Sequence, residues 1–151
     1  MAPWDSLVKG VTVGTLILLV SLVVVFTFVA DSILLTAGFI VLFSSAILVP
    51  FLWAPRGYTI QGDMVLVKRL IGNARIHVAE RPKRWNWTWW RIKLIGSGGL
   101  YGYYGYFFFR GLGKASMYAT NRHNLVLIRD SEGRNHLVSP NNPEKLMQQL
   151  E

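Results

Sequence analysis

The sequence predicts a two-helix transmembrane hairpin followed by a mostly-β domain, a bent antiparallel sandwich or barrel of about seven strands with a C-terminal capping helix. Three observations predict it. From Gly10 to Trp53 the only charged residue is Asp31. After Ala54 the pattern changes to short alternating runs separated by turn residues. All but one of the 16 Lys and Arg residues follow Trp53. The 151-residue chain is 52% hydrophobic and 16% charged, where soluble domains carry roughly 25% charged residues. A purely soluble protein and intrinsic disorder are excluded. Cysteine is absent, so there are no disulfides or thiolate metal sites, and the redox compartment stays open.

The organisation is a transmembrane hairpin over residues 1–55 and a cytoplasmic domain over 56–151. Val11–Ala30 is uncharged, and at 1.5 Å per residue it spans about 30 Å, the hydrocarbon thickness of a bilayer. Ile33–Trp53 is long enough to cross again, with a tight turn at Ala30–Ser32 between the spans. A cleaved signal peptide fits less well. The apolar run exceeds the usual ~7–15 residues, and Phe28 stands where a small residue should precede a cut after Ala30. Lys9 before the first span and Arg56, Lys68 and Arg69 after the second place both termini in the cytoplasm by the positive-inside rule. Trp4 and Trp53 suit the headgroup region at those ends. Gly10 and Gly14 form a single small-xxx-small pair, which chance explains. Neither span holds an ionisable residue of the kind an ion pathway needs.

The second half reads as strands. Tyr58–Ile60, a turn at Gln61–Asp63, and Met64–Leu70 make a hairpin. Ala74–Val78, Gly102–Phe109, Lys114–Ala119 and Leu125–Arg129 follow, and Ser131–Gly133 turns the chain into Asn135–Val138. Asn142 as N-cap, Pro143 at the first position and Leu146, Met147 and Leu150 on one face predict a short amphipathic helix. Residues 80–110 leave strand and interfacial helix both open.

The run from Tyr58 to Leu150 resembles the bacterial pleckstrin-homology-like (PH-like) domains that are fused to membrane spans. The resemblance rests on YTIQGDMVLVKRL (58–70), NARIHVAE (73–80), the glycine-rich GSGGLYGYYG (96–105) and YATNRHNLVLIRDSEGRNHLVSPNNPEKLMQQL (118–150), most of all its ending. It implies a bent seven-stranded sandwich with one helix and implies no ligand. Only Lys68 and Arg69 echo the paired cations of the eukaryotic inositol-phosphate signature.

The segment Glu80–Lys93 sets Arg81, Lys83, Arg84, Arg91 and Lys93 around Trp85, Trp87, Trp89 and Trp90. Indoles partition into the headgroup layer and cations meet anionic phosphates, each worth about 1 kcal/mol, so these nine residues are the expected membrane or partner contact. Core packing of the tryptophans over a solvated basic face is the plainer alternative. Trp and Arg also suit a protein partner. Single-stranded nucleic acid is set aside for want of a recognised motif.

Ile95–Phe109 is rich in glycine and aromatics, but its glycines run into strand residues and not into the Lys-Ser/Thr helix start of a P-loop. A loop entering a close-packed strand is expected, with Tyr101, Tyr103, Tyr104 and Tyr106 as a candidate binding face. His77, His123 and His136 lack metal-ligand spacing, and Asp63, Asp130, Glu132 and Glu144 fit turns and a helix start. No nucleophile is paired with a base, so no catalytic site, metal or cofactor is expected. The functional expectation is a non-enzymatic inner-membrane protein whose domain meets anionic lipid, a membrane-protein partner or a second copy, with no nucleic-acid role. The alternative is an accessory subunit of a membrane enzyme or transporter, bound through its hairpin.

Overall fold

The computed structural model describes residues 3–30, 32–87 and 91–150, with only the backbone of Arg91. The expected turn residue Asp31 lies outside the described residues, as do Trp89 and Trp90. Two long helices come first, α1 (Ser6–Val29) and α2 (Ile33–Trp53). The Asp5 side chain caps α1 by accepting the Val8 backbone N–H at 2.9 Å. Both helices are long and apolar enough to cross a membrane. Hydroxyls of Thr27, Thr36 and Ser45 donate to the carbonyl four residues earlier, which satisfies them without water. The Phe26 and Phe39 rings meet at 3.8 Å between the helices, while most of the remaining apolar side chains stay exposed.

The β-domain has two sheets. β1 (Gly57–Gln61), β2 (Met64–Lys68) and β3 (Ala74–His77) form an antiparallel three-stranded sheet. The second sheet contains β4 (Lys83–Trp85), β5 (Arg91–Gly98), β6 (Tyr103–Phe109), β7 (Gly113–Ala119), β8 (Leu125–Arg129) and β9 (Asn135–Val138), in the order β4-β8-β9-β7-β6-β5. α3 (Pro143–Gln149) closes the chain, with Asn142 accepting the Lys145 N–H at 2.9 Å.

The expected helical hairpin, β-domain and capping helix are therefore present, with nine strands among the described residues and not seven. The two additions, β4 and β5, come from residues 80–98, where tryptophan, cations and glycine obscure the alternation. The sheet is also not antiparallel throughout, because β7 and β9 run parallel. The β8–β9 hairpin folds back beside β7 with β9 innermost, and two reversals leave β9 running with β7.

Period-two alternation gives the larger sheet two apolar faces. Tyr103, Phe107, Phe109, Met117, Leu125 and Leu137 fill one, and Val8 of α1 is fully buried among them. Val126, Ile128 and Val138 line the other beneath Val65, Val67 and Ile76 of the smaller sheet and Leu146 of α3. Tyr58 ties the sheets: its hydroxyl donates to the Tyr118 carbonyl and accepts the Ser139 N–H. Burial pushes that phenol far above its ordinary pKa, although hydrogen bonds with Ser139 oppose the rise.

Candidate functional site

The loops of the β-domain gather at two poles, and one of them grips the ends of both long helices. There Asp5 donates its N–H to the Thr120 carbonyl, and its carboxylate accepts the Arg122 N–H at 3.1 Å. Thr12, buried, accepts the Tyr101 N–H at 3.0 Å. At α2, the Tyr104 hydroxyl donates to the Pro50 carbonyl at 2.7 Å, and the Ile71 N–H donates to the Leu52 carbonyl at 3.3 Å. Burial pushes the Tyr104 phenol up to about 12, so it keeps the proton it donates. Only Ala54, Pro55 and Arg56 separate α2 from β1. The domain is clamped to the helices and does not hang on a linker.

The glycine-rich segment makes the clamp. Gly98–Gly102 turns β5 into β6 against α1, and a Cβ on Gly99 would lie 3.2 Å from Val11. Of the four tyrosines, Tyr103 is core, Tyr101 and Tyr104 pack at the helix ends, and Tyr106 is exposed.

This helix-facing pole is basic. Lys9, Arg56 and Lys68 are exposed there, and Arg69 is half-buried beside them. Arg56 leans on the Phe51 ring at 4.5 Å and Arg69 on the Tyr118 ring at 5.5 Å. Asp5, at the same pole, is buried. Between β2 and β3, Leu70 and Ile71 are each 50% exposed at the level of Leu52. The sequence signal for this loop was the pair Lys68-Arg69 running into two apolar residues; what hid it was the apparent continuation of the strand through Leu70.

Of the nine residues expected at a membrane or partner contact, the six whose side chains are described lie in different parts of the domain. Arg81 and Lys83 line a small pocket with Glu80 and Arg129 at the far pole. Arg84 pairs with Glu144 at 2.9 Å, an exposed bridge worth less than about 1 kcal/mol. Trp85 and Trp87 are half-buried against the core, and the Trp87 ring lies 5.1 Å from that of Tyr103. Lys93 is exposed on the edge strand β5. Trp89, Trp90 and the side chain of Arg91 lie outside the described residues. Trp87 borders a pocket with Arg122 and His123 at the helix-facing pole.

Residues 56–151 match the model of the bacterial PH domain family. The chain belongs to that family. No curated protein and no solved structure matches it. PH domains are in general interaction modules and not catalysts.

At the far pole of the PH domain, Asp130 organises the β8–β9 turn. Its carboxylate is buried and accepts the backbone N–H groups of Glu132 and Arg134, the Arg134 Nε at 2.8 Å and the His136 Nε2 at 2.9 Å. Burial alone raises its pKa, but the bonds from His136, Arg134 and Glu132 together outweigh it and hold the carboxyl well below the usual carboxylate range. A depressed folded pKa stabilises the protein in full above the unfolded value near 4, and that stability is lost progressively as pH falls from there through the lower folded pKa. The melting temperature of the detergent-solubilised chain should therefore start to fall below about pH 4, and Asp130→Asn should flatten that fall while melting lower at pH 7. An unchanged acid limb in the variant would refute this account. Among the described residues no group of three His, Asp or Glu side chains converges on a metal position.

Proposed function

We propose that this chain is a two-span protein of the cytoplasmic membrane that presses the basic pole of its PH domain against the anionic inner leaflet. It acts without catalysis, as a docking platform for lipid and a membrane-protein partner. The observation that carries the reading is the double clamp, through Asp5 and Thr12 on α1 and Tyr104 and Ile71 on α2. Ile47 still packs against Tyr101 and Tyr104, so the clamp leaves Val13–Val29 and Ile33–Ala46 beyond its contacts, roughly 21–25 Å at 1.5 Å per residue. That length puts Leu70, Ile71 and the cations at headgroup depth, the arrangement expected of an interfacial contact. The same cations support cytoplasmic termini. Of the segment 81–93, the Trp87 end adjoins lipid.

A protein partner has its own support. On the outer face of β5 and β6, Ile92, Ile95, Tyr106 and Phe108 are each exposed by 46% or more, more than scattered surface apolars require. A membrane-protein partner would dock there.

Because the chain has no cysteine, a nitroxide can be placed singly. In nanodiscs with anionic lipid, a label at Ile71→Cys should be relaxed more by oxygen than by a water-soluble nickel chelate. A label at Glu132→Cys should behave in the opposite way. Equal access of the chelate to both sites overturns the reading.

A further inference from the structure

A cavity of about 490 Å³ opens at the clamp, between Trp4 before α1, Phe51 and Ala54 at the end of α2, Arg56, and Tyr101 of the β5–β6 turn. Much of its wall precedes residue 56, so it is not a pocket of the PH domain alone. We propose that it holds the phosphate of an anionic phospholipid, with Arg56 as headgroup ligand and the three aromatic rings against the glycerol and first acyl carbons. The proposal rests on the membrane reading above and names the ligand class for that pole.

Three features support it. The Arg56 guanidinium carbon sits over the Phe51 ring, 4.5 Å from its centroid, and a guanidinium held at that wall suits a bidentate phosphate contact. Among the described residues no carboxylate lines the cavity, whereas Arg84, Arg129 and Arg134 each sit on one. Tyr101 is the only described non-glycine residue with positive φ, at 58°. A bulky residue there is a genuine outlier, held by its N–H bond to the buried Thr12 hydroxyl. The strained backbone sets its ring 5.3 Å from Phe51 and 6.2 Å from Trp4, as the cavity wall. Strain of this kind concentrates at ligand sites. The aromatic walls argue for a lipid over free phosphate, which would use only Arg56.

The test is native mass spectrometry of the full chain released from detergent micelles, titrated with phosphatidylglycerol, phosphatidylcholine and soluble glycerol phosphate. Phosphatidylglycerol should form the persistent adduct. Arg56→Gln should weaken it about tenfold, and Arg56→Lys by less. Lys145→Gln, at an exposed position of α3, should leave it unchanged. An adduct indifferent to Arg56→Gln, or lost equally in Lys145→Gln, overturns the site. Displacement by glycerol phosphate overturns the lipid as occupant. Melting curves confirm that the variants fold, and alkaline carbonate washing of membranes tests the spanning helices separately.

Discussion

Gly105→Ala will cost the protein about 3–5 kcal/mol and with it most of the folded chain recovered from membranes. Gly96 and Gly105 face each other across β5 and β6, with φ of 128° and 111°. A Cβ on Gly105 would stand 2.1 Å from the Ile95 carbonyl oxygen and 2.7 Å from the Gly96 Cα; one on Gly96 would stand 2.0 Å from the Tyr104 carbonyl oxygen. These obstacles are backbone, so relief requires the strands to part. The same hairpin carries the Thr12 and Pro50 ties to the helices, so the damage spreads to the clamp. Gly111→Ala is the control. Its φ is 88° but a Cβ there meets open space, so it should cost only about 1 kcal/mol. Thermal unfolding in detergent separates them. Equal melting temperatures would mean that φ, and not the strand contact, sets the cost.

The second large effect belongs to Asp5, a carboxylate that is 6% exposed and meets four groups. It caps α1 at Val8, accepts the Arg122 N–H, lies 3.3 Å from the Tyr103 hydroxyl and 3.6 Å from the Arg122 Nε. Asp5→Ala removes all of these from a buried site and should destabilise the chain by about 3–5 kcal/mol. Asp5→Asn keeps a cap and a polar partner and should cost roughly half as much. Loss of the clamp has its own signature. Nitroxides at Lys9→Cys and His123→Cys should show a narrow distance distribution in the parent chain and a broad one with Asp5→Ala. A distribution that stays narrow would mean that the α2 contacts alone hold the domain.

Residues 80–98 show how far the sequence could be read. Trp85 and Trp87 look like an interfacial pair from composition, and their packing on the core follows from β4 pairing with β8, a contact between positions some forty apart. Arg84 looks like a free surface cation, and Glu144, its partner, arrives only when α3 folds back. The β1–β2 hairpin, the β8–β9 turn and the α3 cap were legible because each is set within a few residues, by Gln61–Asp63, Ser131–Gly133 and Asn142-Pro143.

The sequence by itself determined the two apolar helices, seven of the nine strands, the capping helix and the family. Each of these is written in local periodicity, turn chemistry or a contiguous motif. Only the tertiary structure decided that Asp5 and Val8 belong to the core of the PH domain, and that Leu70-Ile71 and Arg56 share the pole that grips the helices. It also decided that the described part of the most basic stretch is divided between the far pole, the core and an edge strand. Those facts depend on contacts between distant residues, and a distant contact leaves no periodic trace in the residues that make it.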